Sequence, residues 1–140
     1  MTSVFNTGPL IWLAKLNVLH LLRELYGTIY IPHAVYREAV EKGLEKGYSD
    51  AKSIKNSIEE GWIKVKPCTQ TSIARVTTIE KQLGIELGAG EKEAIALALD
   101  LKINTILTND ELASHTAKTL DLTPRGLLYI LLKSVEKKLI

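Results

Sequence analysis

The chain has 140 residues, 46% of them hydrophobic and 24% charged, which is typical of one globular domain with a substantial core. Its 18 basic and 16 acidic residues give a net charge of +2, a balance that neither requires nor excludes a nucleic-acid partner. The single Cys68 excludes an internal disulfide, and no run reaches the roughly 18 apolar residues that span a bilayer. No basic residue precedes the first apolar segment, unlike in a signal peptide. We therefore expect a single domain over residues 1–140, in the cytoplasm and without a membrane partner.

Strands and helices alternate in the first half of the sequence. Leucines recur at helical spacing after Pro9, whereas residues 28–31 are rich in β-branched and aromatic side chains. Period-two alternation that stops at Pro67 indicates an edge strand. The predicted elements are a strand at 3–6, two short helices within 9–25 that meet near Asn17, a strand at 28–31, helices at 33–44 and 49–58 (the latter capped by Ser49), and a strand at 62–67.

The second half repeats this alternation. A break at residues 88–90 precedes an alanine-rich segment with high helix propensity. The predicted elements are helices at 71–83 and 91–101, a strand at 104–108, a helix from Asp110 to Leu120, and a last helix at 127–138 after Pro124 and Gly126. Strands separated by helices predict an α/β fold with a mainly parallel sheet. Because such crossovers are right-handed, the carboxyl ends of the strands should share one edge.

Polar side chains stand at the ends of several of these elements. They are Asn6 after the first strand, Glu38 in the helix after the second, Glu91 at a helix start and Asp110 after the strand at 104–108. Carboxylates crowded on one edge repel one another, and Mg²⁺ or Mn²⁺, which prefer oxygen ligands, would relieve that repulsion. Such an ion activates water and neutralises charge on a phosphate. An acidic edge without His or Cys therefore favours phosphodiester hydrolysis over zinc chemistry.

Each of these four residues also has a purely structural interpretation. Their spacing in the sequence does not decide between that interpretation and a role in a metal site. Glu91 and Asp110 could complement the positive ends of helices, and Asn6 could cap one. Glu38 could form an exposed pair with Lys42, four residues further along the helix.

Three further residues are accessory candidates for the site. Thr7 and Thr108 carry hydroxyls that could orient a water or a phosphate, and Glu93 faces a different side of its helix from Glu91. Trp12 and Trp62 are interpreted as core or interface anchors, and no aromatic stripe for base stacking is evident in the sequence.

Other acidic or glycine-rich α/β sites fit the sequence poorly. A receiver domain needs an acidic pair near the end of its first strand, and residues 4–6 supply none. A phosphotransferase of the haloacid dehalogenase type needs a nucleophilic aspartate where Asn6 stands. Residues 88–90 match neither a dinucleotide fingerprint nor a P-loop.

Four ordered motifs together resemble the PIN domain family, which includes VapC-type toxins. The motifs are residues 4–11 (VFNTGPLI), residues 31–38 with Glu38 as the second acid, residues 90–98 with Glu91 as the third, and residues 107–110 ending in Asp110. The segment 125–128 before the last helix also resembles one branch of these proteins. The family normally has an aspartate where this chain has Asn6.

This resemblance implies a three-layer α/β/α sandwich that binds one or two Mg²⁺ or Mn²⁺ ions and cleaves single-stranded RNA. By the same resemblance, Asn6, Glu91 and Asp110 would hold the metal, and Glu38 would orient or deprotonate the attacking water. Homodimers and inhibition by a cognate antitoxin are further expectations from the family.

The replacement of the usual aspartate by Asn6 is the difference from the family pattern that most affects the expected activity. An amide keeps a carbonyl oxygen but loses the negative charge, which lowers its value as a ligand for a hard cation. The change is either introduced or natural, and both origins stay open. Three hypotheses follow: a metal-dependent ribonuclease of reduced affinity, a binding or regulatory protein without turnover, and a structural dimer module built on the apolar run 127–132.

Overall fold

The computed structural model describes residues 2–140, and its core is a parallel sheet. The strands are β1 Ser3–Phe5, β2 Ile29–Pro32, β3 Ile63–Lys66, β4 Thr105–Leu107 and β5 Thr123–Arg125. Their order is β3-β2-β1-β4-β5, and each neighbouring pair is parallel. The predicted α/β fold with a parallel sheet is confirmed.

The helices follow the strands along the chain. They are α1 Thr7–Lys15, α2 His20–Tyr26, α3 His33–Tyr36, α4 Lys42–Glu45, α5 Ser49–Glu59, α6 Gln70–Leu83, α7 Ala89–Leu101, α8 Glu111–Thr119 and α9 Leu127–Glu136. A π-helical turn, Arg37–Glu41, joins α3 to α4 without a break. Within residues 2–140, no helix is long and apolar enough to cross a membrane.

Two apolar clusters, one on each face of the sheet, produce the three layers. Phe5 and Leu107 point to the cluster that also contains residues of α1, α2, α5 and α9. Val4 and Ile106, their neighbours in the same strands, point to the cluster formed with α6, α7 and α8. Successive side chains of a strand alternate between faces, so each short strand contributes to both layers. This arrangement is the α/β/α sandwich that the family resemblance implied.

The order of the strands creates a crevice between β1 and β4. From β1 the chain proceeds to β2 and β3 on one side, whereas β4 and β5 lie on the other side. The helices that leave β1 and β4 accordingly pack on opposite faces of the sheet, α1 in one cluster and α8 in the other. Open α/β sheets bind ligands at such a switch point, outside the carboxyl ends of the strands.

Most of the sequence-based elements agree with the structure to within one to three residues, with four differences. Strand β5 was not predicted, because Thr123–Arg125 is three residues long and contains Pro124, which only an edge strand tolerates. Ser49 is the first residue of α5 and Tyr48 is the cap, without a side-chain bond. Helix α7 begins at Ala89, so it includes part of the predicted break. The π-helical turn within the predicted helix at 33–44 was also missed.

The loop before α7 is fixed by a buried carboxylate. Glu80 accepts a hydrogen bond from the backbone N–H of Leu87 at 2.8 Å, and Lys92 Nζ lies 2.7 Å from its other oxygen. Burial by itself would raise the pKa of Glu80, but the hydrogen bonds from Leu87 and Lys92 and the lysine charge outweigh it and lower that pKa. The ionised form of Glu80 therefore holds the start of α7 in place beside the crevice.

Candidate active site between the ends of β1 and β4

Asn6 lies at the bottom of the crevice with both ends of its side-chain amide engaged. Its backbone N–H donates to the Leu107 carbonyl at 2.9 Å, which extends the pairing of β1 with β4 by one residue. The residue is 5% exposed. Its Oδ1 accepts the Thr7 N–H at 2.8 Å and caps α1, while Nδ2 donates to Thr108 Oγ1 at 3.2 Å. The orientation of the amide is thus set by the first residue of α1 and by the residue that follows β4.

Thr108 connects Asn6 to Asp110. Its backbone N–H donates to the Arg125 carbonyl at 2.8 Å, so pairing with β5 positions it. Its Oγ1 accepts both the Asn6 amide and the Asp110 backbone N–H, the latter at 3.1 Å. Asp110 itself caps α8, because its Oδ1 accepts the Ala113 N–H at 2.7 Å. The structural interpretations of Asn6 and Asp110 as caps therefore coexist with a position in the crevice.

Glu38 reaches the same crevice from the helical segment that follows β2. It lies in the π-helical turn, and its Oε2 accepts a hydrogen bond from Thr7 Oγ1 at 2.6 Å. In the described part of the chain, Glu38 forms no ion pair with Lys42 within 4.0 Å. π-Helical turns occur frequently at functional sites.

Gly90, in the first turn of α7, lies where side-chain oxygens of Asn6 and Glu38 come together. A Cβ atom on residue 90 would lie 3.0 and 3.1 Å from the two carboxylate oxygens of Glu38 and 3.1 Å from Oδ1 of Asn6. Three oxygen atoms from two distant segments therefore surround the space that a side chain at this position would fill. A Cβ atom at position 90 would require these oxygens to shift by a few tenths of an ångström. The only sequence signal for this role of Gly90 was its place in a presumed break.

The contacts of Glu91 and Glu93 lie elsewhere. The Glu91 carboxylate folds back over Gly88, where a Cβ atom would lie 2.5 Å from its Oε2. Glu93 Oε1 accepts the Ala34 N–H at 3.0 Å at the start of α3, and its Oε2 lies 3.7 Å from Arg37. The structure thus brings Asn6, Thr7, Glu38, Thr108 and the backbone of Asp110 into one contact network, and it does not bring the two glutamates of α7 into it. Among residues 2–140, no three His, Cys, Asp or Glu side chains group closely enough to hold a metal.

Comparisons with known proteins identify the family of this fold. A family model described as PIN domain matches residues 2–140. The chain belongs to the PIN domain family. No curated protein sequence matches this PIN domain significantly.

Solved structures share the PIN fold at low sequence identity. VapBC2 from Rickettsia felis, bound to a DNA fragment from its promoter, has a TM-score of 0.65 at 18% identity, covering 90% of this chain and 98% of that one. VapBC-1 from nontypeable Haemophilus influenzae has a TM-score of 0.66 at 12% identity, covering 91% and 99%. PAE2754 from Pyrobaculum aerophilum has a TM-score of 0.62 at 14% identity, covering 97% and 99%. At these identities the likeness concerns the fold.

The side chains of this PIN domain offer oxygen atoms, the type of ligand that a hard divalent cation prefers. Their total negative charge, however, is low. The atoms that converge above Gly90 are all oxygens, which Mg²⁺ and Mn²⁺ prefer. Of the two residues that supply them, Glu38 is a carboxylate and Asn6 is neutral. Asp110 has one oxygen committed to capping α8, which leaves the other for a ligand. The residues present therefore fit such an ion in ligand type, with one negative charge fewer than an aspartate at position 6 would give.

We expect Gly90→Ala to weaken Mn²⁺ binding by about tenfold or more, because its methyl group would displace the oxygens of Asn6 and Glu38. The free energy of unfolding should change by less than about 1 kcal/mol, since alanine favours a helix and offsets the crowding. Calorimetric Mn²⁺ titration and thermal unfolding measure the two quantities separately.

Gly8→Ala is the matched control for this prediction. Gly8 also lies in the first turn of a helix beside the crevice, but a Cβ atom there would meet nothing within 4 Å. Its Mn²⁺ affinity should equal that of the unmodified chain. Equal affinities in both alanine variants would show that the space above residue 90 is not part of an ion site.

Proposed function

We propose that this PIN domain is a metal-dependent endoribonuclease that hydrolyses single-stranded RNA with Mg²⁺ or Mn²⁺. The observation that carries the proposal is the convergence of the Asn6 and Glu38 oxygens over Gly90, at the switch point of the sheet. Membership of the PIN family and the similarity to VapBC structures support the nuclease class.

The roles of the residues follow from their positions. Asn6 and Asp110, linked through Thr108, would supply ligands for the ion from the ends of β1 and β4. Glu91 would join them after its side chain turns away from Gly88. Thr7 holds one oxygen of Glu38 by its hydroxyl and so fixes the direction of that carboxylate.

The chemistry requires a base close to the scissile phosphate. Glu38 would accept a proton from the attacking water as the water oxygen bonds to phosphorus and the bond to the leaving ribose oxygen breaks. The leaving oxygen would keep the electron pair of that bond and take a proton from solvent. A bound Mg²⁺ or Mn²⁺ would supply positive charge that stabilises the developing charge on the phosphate. With Asn6 in place of an aspartate, the affinity for that ion would be lower, while Glu38 keeps its hydrogen bond from Thr7.

The direct test is cleavage of several single-stranded RNAs by the unmodified chain with millimolar Mn²⁺, with Mg²⁺ and with EDTA. We expect slow cleavage that needs Mn²⁺ or Mg²⁺ and stops when EDTA is added. Cleavage that continues in EDTA, or none across all RNAs at saturating Mn²⁺, would contradict the proposal.

A partner protein and a homodimer are further parts of this proposal. The similarity to two VapBC structures supports a cognate antitoxin as partner. Helix α9 supports self-association, because Leu128, Leu132 and Val135 form an apolar stripe that is 57–68% exposed. Light scattering of the purified chain tests the homodimer, and a monomer at micromolar concentration would contradict it.

A second candidate function is RNA or antitoxin binding without turnover. Two observations favour it: the Asn6 amide is neutral with both ends hydrogen-bonded, and residues 2–140 contain no group of three acidic, His or Cys side chains at metal-binding distance. Such a protein would bind RNA in EDTA and cleave none with Mn²⁺. Strong Mn²⁺ binding by the unmodified chain in calorimetry would eliminate this candidate.

A further inference from the structure

A groove with basic walls begins at Glu38 and leads away from the crevice. Its lining includes Lys15 from α1, Lys42 and Lys46 from the segment after the π-helical turn, and Tyr48 at the start of α5. Glu38 lines both this groove and the candidate active site, so the two are continuous. The cavity volume is about 150 Å³, below the roughly 300–1,000 Å³ of pockets that enclose a small molecule. This size suits a group such as a phosphate, with the rest of the ligand outside.

The three lysines are available to a ligand. All are exposed, and within residues 2–140 none has an acidic partner within 4.0 Å. The negative groups of the groove lie at its inner side, Glu38 at the crevice and Asp50 at 8% exposure. The outer wall of the groove is therefore positive, although the chain as a whole is nearly neutral.

Aromatic rings stand next to these lysines. Tyr48 is 50% exposed on the groove wall, and Trp12 is 53% exposed on α1. Lys15 Nζ lies 5.6 Å from the centroid of the Trp12 ring. Of the two sequence-based alternatives for Trp12, a core or an interface anchor, the structure excludes the core, because the buried face of α1 includes Leu10 and Leu13. Lysines interleaved with exposed rings are the combination by which proteins hold single-stranded nucleic acid, through phosphates and stacked bases.

We propose that this groove binds the backbone of single-stranded RNA next to the scissile phosphate, with Lys15, Lys42 and Lys46 on phosphates and Tyr48 stacked on a base. The inference rests on the proposed ribonuclease function and names the path by which the substrate reaches Glu38. Each phosphate contact releases counterions, so the lysines should contribute to the salt dependence of binding, whereas Tyr48 should not.

The test is fluorescence anisotropy with a labelled single-stranded RNA of about 12 nucleotides, a length within the usual site sizes. EDTA is present, so that binding is measured without cleavage. In the double variant Lys42→Gln and Lys46→Gln, the slope of log affinity against log salt should become shallower by about 1.4, or 0.7 for each lost contact. Tyr48→Ala should weaken binding by at least about fivefold and leave the slope unchanged.

The matched control is the double variant Lys52→Gln and Lys55→Gln on α5. These lysines are equally exposed and helical but do not line the groove. Their removal should alter the slope by less than half as much as the groove substitutions. An equal effect of both pairs would mean diffuse attraction and overturn the inference.

The remaining outcomes separate this inference from the proposed function. If the unmodified chain cleaves RNA and the groove variants bind it with unchanged affinity and slope, the inference fails and the ribonuclease stands. If the unmodified chain binds no RNA at all, both fail. If the lysine substitutions abolish binding of polyglutamate but leave RNA binding unchanged, the groove is a site for an acidic protein segment and the RNA path is wrong.

Discussion

Asn6→Asp should raise the affinity for Mn²⁺ by roughly a hundredfold, equivalent to about 2.8 kcal/mol, and increase the rate of RNA cleavage at limiting Mn²⁺ by a similar factor. The substitution adds the missing negative charge where the Asn6 and Glu38 oxygens converge. Calorimetric titration and a cleavage assay at several Mn²⁺ concentrations measure the two effects.

The surroundings of Asn6 can accept the added carboxylate without loss of hydrogen bonds. The Thr7 N–H, at the positive end of α1, would donate to a carboxylate as it does to the amide. Thr108 Oγ1 now accepts from the Asn6 amide, and its hydroxyl can rotate to donate to a carboxylate while still accepting the Asp110 N–H. The increase in activity should therefore not be masked by misfolding.

The same substitution should make stability depend on the metal. Without an ion, the new carboxylate and Glu38 would repel each other across the space above Gly90, at a cost of roughly 1–3 kcal/mol. Thermal unfolding in EDTA should thus occur at a lower temperature than for the unmodified chain, and Mn²⁺ should more than restore it. This measurement of thermal unfolding requires no knowledge of the RNA substrate.

Asn109→Asp is the control for charge alone. Asn109 is exposed beside Thr108, and its Oδ1 accepts the Leu127 N–H, a role that a carboxylate fills equally well. The Asn109→Asp substitution adds the same charge near the crevice, but outside the space where the Asn6 and Glu38 oxygens converge. If both variants change the Mn²⁺ affinity equally, position 6 has no special place in the ion site.

Local patterns were sufficient to predict the segment that positions Asn6. The turn from β1 into α1 depends on residues adjacent in sequence, and Asn6 caps that helix as its residue type suggested. Strand β5 could not be predicted, because Pro124 gives no strand signal and the pairing with β4 alone makes it a strand. Yet β5 fixes Thr108 through the Arg125 carbonyl, so part of the site depends on an element without a sequence signature.

The convergence itself depends on contacts between distant segments. The amide of Asn6 bonds to a hydroxyl 102 residues away, and Glu38 enters through a π-helical turn that helical periodicity does not reveal. Gly90 contributes only space for the neighbouring oxygens. A search of the sequence for ligand-type side chains does not select a glycine. Sequence reasoning therefore found the polar residues at the edge of the sheet but could not tell which oxygens meet.

Glu38→Gln should lower RNA cleavage by roughly a hundredfold to ten-thousandfold while leaving the fold intact, in the unmodified chain and in the Asn6→Asp background. A glutamine can still accept the Thr7 hydroxyl, so the shape of the crevice is kept. What is lost is the charge and the basicity of the one carboxylate among the converging oxygens. Cleavage rates at saturating Mn²⁺ separate loss of the base from weaker ion binding.

Glu41→Gln provides the matched control, since Glu41 is exposed and ends the same π-helical turn. Its cleavage rate should stay within about twofold of the parent, as expected for a surface charge.

The double variant Asn6→Asp with Glu38→Gln has the same number of carboxylates at the convergence as the unmodified chain. If only the count of charges mattered, it would cleave RNA as the unmodified chain does. A base at position 38 requires instead that the double variant stays inactive even when saturated with Mn²⁺. The carboxylate at position 6 would accept the Thr7 backbone N–H, whereas the position of the base is the one held by the Thr7 hydroxyl.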